Sequence, residues 1–133
     1  MSYVHKICLK LIEKYDLFWQ YPVITEKIVF EQQKNNNLYI GLPWATIIDK
    51  KINITNLINE LKDNLSPDLN YITCCQHIYF RRIIDQIKSI NITMLYSPHK
   101  IKNENKIKEI LIKPCPLYAV NFEDKTRNSI FLK

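Results

Sequence analysis

One glycine, Gly41, serves the whole 133-residue chain. Phosphate-cradling loops need two or three glycines so that backbone N–H groups can approach an anion. A P-loop, a dinucleotide fingerprint and a kinase glycine loop are therefore all excluded. Long apolar runs are missing too: none approaches the ~20 residues of a membrane span. Residues 1–14 mix Lys, His and Glu into the apolar positions, so no uninterrupted signal-peptide core is present. A cytoplasmic protein without a membrane span is the expectation. Arginine is scarce, at positions 81, 82 and 127, and the net charge of +6 is carried by scattered lysines. Nucleic-acid binders cluster Arg and Lys on one face with aromatics between. Only a loose group from Lys100 to Lys113 approaches that, and nucleic acid is not the expected partner. The abundance of Ile, Lys and Asn fits AT-rich coding, which inflates the charge without functional meaning.

No CxxC pair occurs among Cys8, Cys74, Cys75 and Cys115. Zinc needs convergent ligands at tighter spacing, and a disulfide framework does not suit a chain without a secretory signal. The four read as free buried thiols, with Cys74 and Cys75 pointing to opposite faces of a strand. No metal and no cofactor is expected.

What is present is a globular composition: 47% hydrophobic and 24% charged residues. The length suits one domain, residues 1–133, with a core of its own. Helical spacing appears in residues 3–14, through Val4, Ile7, Cys8, Leu11 and Ile12. A second short helix fits residues 24–33 with Thr25 as cap. Leu38 to Leu42 reads as a buried strand ended by Gly41 and Pro43, and Trp44 to Asp49 is ambiguous. Ile54 to Leu65 is helical, with Leu57, Ile58, Leu61 and Leu65 as its stripe. Asn70 to Cys75 is a strand. Ile78 to Ile90 reads as the best helix of the chain, and Ile92 to Tyr96 as a strand. Lys102 to Lys108 reads as a solvated helix and Glu109 to Lys113 as a fourth strand. Tyr118 to Phe122 and Ser129 to Leu132 are further strand candidates. The last begins just where the chain stops, which suggests a piece of something longer. Alternation of strands and helices implies an α/β, Rossmann-like three-layer domain: a mostly parallel sheet of four to five strands with helices on both faces.

Ligands of open α/β sheets sit at the carboxyl ends of the strands. Residues just past the strands are Trp44; Gln76 and His77; Ser97, His99 and Lys100; and Tyr118 with its neighbours Cys115 to Leu117. His77, between a strand and a helix, is the candidate catalytic residue, as a general base or a binder of substrate hydroxyls. Its alternative is a capping or buried hydrogen-bonded histidine. His99 carries the same two readings, and Lys100 would suit an anionic group. Trp44 and Tyr118 could stack on a sugar face or a base, or act as lids on the core. Tyr15, Phe18, Trp19 and Tyr21 read as packing rather than binding. His5, in the first helix, reads as structural.

Several short words add a family likeness. They are Tyr71-Ile72-Thr73-Cys74-Cys75-Gln76-His77-Ile78 with Phe80-Arg81-Arg82, Ser97-Pro98-His99-Lys100, and Pro114-Cys115-Pro116-Leu117-Tyr118-Ala119-Val120-Asn121. Phe18-Trp19-Gln20-Tyr21-Pro22 and Leu42-Pro43-Trp44 belong with them. Together they resemble the N-terminal half of exostosin-like glycosyltransferases of microbes and large viruses. The resemblance implies a GT-B architecture, two Rossmann-like halves facing across a cleft. The first half holds the glycan acceptor; the second, absent from this sequence, binds the nucleotide sugar. The loops at His77 and His99 would face the cleft, and Trp44, Gln76, Ser97, Lys100 and Tyr118 would be substrate-binding. The family's nucleotide-binding motifs have no counterpart here, so turnover by this chain alone is not expected. A non-catalytic Rossmann-like protein-interaction module is the alternative.

Overall fold

The computed structural model describes residues 1–120. Five α-helices occur there: α1 (Tyr3–Lys14), α2 (Thr25–Gln32), α3 (Trp44–Asp49), α4 (Thr55–Asp63) and α5 (Ile84–Ser89). Four strands accompany them: β1 (Tyr71–Cys74), β2 (Ile92–Ser97), β3 (Lys106–Ile107) and β4 (Ile110–Pro114). They form one sheet in the order β1-β2-β4-β3. Its three longer strands run parallel, and β3 is antiparallel to β4. The domain is α/β with a mostly parallel sheet, as expected of a Rossmann-like unit. Of the expected strand Tyr118 to Phe122, the described residues 118–120 make one isolated bridge, Ala119 beside Val23; its last two residues and the expected strand Ser129 to Leu132 lie outside the described residues.

Register explains how the sheet is covered. Thr73, Leu95 and Ile112 lie side by side across β1, β2 and β4, and all three are buried. Their neighbours Ile72, Met94 and Leu111 point to the opposite face and are only partly covered. Right-handed crossovers place successive connections on one face of a parallel sheet. The first face accordingly receives α3, whose Trp44 indole donates to Thr73 Oγ1 at 2.9 Å. It also receives α5 and the 3-10 turn Phe80–Ile83, which packs against α3. The β2-to-β4 connection contains no helix, and by the same rule the crossover helices lie on the first face and none on the second. That face is bordered instead by α2 and by residues 115–118.

The single glycine has a packing role. A Cβ at Gly41 would stand 2.1 Å from Phe30 Cδ1. Phe30 in turn stacks on His5, with ring centroids 4.0 Å apart, so the structural reading of His5 holds. Residues 38–40 join the sheet edge through one bridge, Tyr39 beside Ile72, instead of a full strand. Asn36 Oδ1 takes the Leu38 N–H, and Gly41 and Pro43 follow closely.

Two expectations are corrected. Residues 78–90 do not make one long helix. Their apolar stripe, Phe80, Ile83, Ile84 and Ile87, is buried as its spacing requires. The first turn is diverted because the Tyr79 N–H donates to His77 Nδ1, leaving a 3-10 turn and the six residues of α5. Residues 102–108 are not a helix either. Lys108 and Glu109 take positive φ angles of 48° and 73° and turn β3 back onto β4. Asn-Gly is the usual signal of such a tight hairpin, and the glycine-poor chain lacks it.

Residues 118–120 tie the last described segment to α2. Val120 N donates to Pro22 O, Ile24 N to Tyr118 O, and Tyr118 N to Thr25 Oγ1. Thr25, expected as a helix cap, spends its hydroxyl on this long-range contact, and the position before the helix is Ile24.

Candidate functional site at the carboxyl ends of the strands

Two carboxylates organise the end of the sheet where β1 gives way to residues 75–79. Glu26, in the first turn of α2, is 2% exposed. Its Oε2 accepts the Ala45 N–H at 3.1 Å and the Gln76 N–H at 2.9 Å. Gln76 answers reciprocally: its Oε1 accepts the Glu26 N–H at 2.9 Å, and its Nε2 donates to Val23 O at 2.8 Å. This closed set joins α2, α3 and the loop after β1. Burial pushes the Glu26 carboxyl up to about 8, against the pull of the Gln76 and Ala45 N–H groups.

Above this junction lies Asp49, the last residue of α3, with half of its side chain exposed. Its Oδ2 accepts from Gln20 Nε2 and its Oδ1 meets His77 Nε2, both at 2.6 Å. The Gln20 amide first, and His77 second, hold the Asp49 carboxyl below its ordinary range. At His77 the Tyr79 N–H donates to Nδ1 at 2.9 Å. That ring nitrogen is an acceptor, so the tautomer assigned from this network carries its proton on Nε2 and donates it to Asp49. The resting geometry leaves His77 no spare lone pair with which to act as a base.

Aromatic side chains crowd this pair. Phe18 and Tyr21 line a hollow of about 380 Å³ together with Gln20, Asp49 and Lys50. The Tyr79 ring lies 5.6 Å from that of His77. Phe18, Tyr21 and Tyr79 are all exposed, Tyr21 by 72%. The packing role expected for Phe18 and Tyr21 is therefore corrected, while Tyr15 and Trp19 do pack against the core. Exposed rings beside an ionised carboxylate and a carboxamide can take the C–H face of a sugar and its hydroxyls.

The other expected site residues divide sharply. Trp44 is fully buried with its indole N–H committed to Thr73, so it offers a ligand neither face nor donor. Gln76 and Ser97 are buried; Ser97 Oγ accepts the His99 N–H at 3.0 Å. Lys100 folds its Nζ onto the carbonyls of Ile101 and Lys102, at 3.2 and 3.3 Å. The His99 ring is half-buried and bonds to no described residue, and Tyr118 lines a separate groove on the second sheet face. Only His77 enters the aromatic-rimmed cluster. Gln20, Asp49 and Tyr79 escaped sequence reading because no spacing links positions so far apart. Glu26 had one weak signal, an acid in the first turn of a helix, which usually means only a favourable dipole contact.

Among the described residues no group of three or more His, Cys, Asp or Glu could hold a metal ion. No helix there is long and apolar enough to cross a membrane. No family model matches the chain, and neither a curated protein nor a solved structure matches it.

Proposed function

We propose that this chain is the acceptor-side domain of a glycosyltransferase-like protein, and that it binds a neutral glycan where His77 meets Asp49. The observation that carries the reading is the hydrogen-bonded set Gln20–Asp49–His77 ringed by exposed Phe18, Tyr21 and Tyr79. Aromatic faces with a few fixed polar groups are the chemistry that selects sugars. His77 serves as a positioning group that holds Asp49 ready to accept sugar hydroxyls. Catalysis would need the donor-binding half implied by the family resemblance, with the single glycine used for packing and not for a phosphate loop.

The test is a chemical-shift titration with cello-, manno- and chito-oligosaccharides and, separately, UDP-glucose and GDP-mannose. The reading expects shifts at His77 and Tyr79 with at least one glycan and none with the nucleotides. It also expects Asp49→Asn to weaken that glycan about tenfold, the loss of a charge-assisted hydrogen bond. Shifts with the nucleotide sugars alone, or with neither class, defeat it.

A second reading, a protein-interaction module, rests on the same exposed rings together with Ile78, which is 56% exposed. Aromatic-rich exposed patches also mark protein interfaces. Silence toward every sugar would favour it.

A further inference from the structure

The second face of the sheet carries a groove of about 410 Å³, bordered by α2, β1, β2 and residues 115–118. It shares no lining residue with the hollow at Asp49. Three tyrosines, Tyr39, Tyr96 and Tyr118, and three carboxamides, Gln32, Gln33 and Asn36, line it, and no charged side chain does. Tyr39 stands out because it is 3% exposed and its hydroxyl makes no hydrogen bond with any described residue. Other buried polar side chains nearby are served: Thr73 donates to Ile40 O, Gln76 bonds to Glu26 and Val23, and Thr25 accepts from Tyr118. A buried hydroxyl left unpaired is costly, and the Tyr39 residue that carries this one lines a groove large enough for a small molecule.

We infer that this groove is a second binding site, for an uncharged, hydroxyl-bearing ring of monosaccharide size, and that the Tyr39 hydroxyl is the group that selects it. The inference stands on the groove alone and does not depend on the reading at Asp49. An uncharged lining gives a phosphate or carboxylate no counter-charge and leaves it desolvated. Tyrosine rings offer flat faces to C–H bonds, while the carboxamides of Gln32 and Gln33 can both donate and accept. The occupant supplies the partner that the Tyr39 hydroxyl lacks among the described residues.

Saturation-transfer NMR on the full chain tests this with methyl β-D-glucopyranoside, N-acetylglucosamine and myo-inositol, and with glucuronate as the charged control. At least one neutral ring should receive saturation and shift the signals of Ile72 and Tyr96, and glucuronate should not. Tyr39→Phe should weaken that ring about fivefold, one net hydrogen bond. Without any ligand, Tyr39→Phe should leave the thermal midpoint unchanged or raised. A lowered midpoint would mean that the hydroxyl is already served inside the protein, and it would overturn the inference. So would equal binding of glucuronate, or no saturation of any neutral ring. Should Tyr39→Phe fold poorly, Tyr118→Ala, at a half-buried position, should abolish the same saturation; retained binding would count against the site. Failure at Asp49 appears at His77 and Tyr79, and failure here at Ile72 and Tyr96, so the two are told apart.

Discussion

Glu26 and Asp49 end up at the same end of the sheet with opposite characters. Glu26 lies under the rim, closed in by backbone N–H groups, and its carboxyl holds its proton to about 8. Asp49 lies on the rim, half exposed, and its carboxyl is held ionised by Gln20 and His77. Burial decides the difference. Desolvation disfavours charge at Glu26 more than two N–H donors can offset, whereas Asp49 keeps water and gains donors as well. The inner carboxyl is a structural joint, and the outer one is free to meet a ligand.

Removing each group separates these roles most strongly. Glu26→Ala would orphan the Ala45 and Gln76 N–H groups, leave the Gln76 amide without its reciprocal partner and open a cavity. At pH 6 it should cost about 3 kcal/mol or more. Asp49→Ala loses only a partly exposed pair and should cost about 1 kcal/mol or less. Urea unfolding of the two variants checks the ranking; equal losses would erase the distinction between joint and rim.

The acidity of Glu26 makes a second, smaller contrast. Unfolded, this carboxyl releases its proton near its ordinary 4.5; folded, it keeps it to about 8. Between those values the folded state binds more protons, so stability falls as pH rises through the window, by a few kcal/mol in all. Glu26→Gln cannot ionise and should flatten the slope, becoming more stable than the parent above pH 8. The shift at Asp49 runs the other way: its contribution is present above the ordinary carboxylate range and fades only in acid. A midpoint-against-pH series on the parent, Glu26→Gln and Asp49→Asn would show whether the slope follows Glu26.

The cysteines repeat the contrast without touching stability. Burial raises Cys8 to about 12 and lifts Cys75 well above its ordinary value. Cys74 and Cys115 face each other with sulfur atoms 4.0 Å apart. That contact raises Cys74 and lowers Cys115, which is also the only one of the four that is not fully buried. Iodoacetamide at pH 7.5 should therefore label Cys115 first, read by peptide mass, and a ligand in the adjacent groove should slow the labelling. Prior labelling of any other cysteine would contradict this environment.

Local pattern went far where burial alone fixes an element. The stripe of α1, the stripe Leu57, Ile58 and Leu61 of α4, and the parallel pairing of β1 with β2 follow from apolar spacing and β-branched runs. Local pattern misled where a distant or unusual partner took over. His77 captured the turn that would have begun a longer helix, and Lys108 and Glu109 made a hairpin without glycine. Trp44 looked like a ligand platform because it follows an extended segment beside a proline; its fate depended on Thr73, 29 residues away.

The sequence by itself determined the α/β alternation, the lack of a glycine phosphate loop and the placement of His77 just past a strand. Each is a property of residue type and spacing along the chain. Tertiary structure alone decided that Glu26 is a joint, that Asp49 receives both Gln20 and His77, and that Tyr39 is buried with no hydrogen-bond partner for its hydroxyl among the described residues. Those outcomes rest on which distant groups donate, accept or exclude water, and such partners are chosen by folding and not by neighbours in sequence.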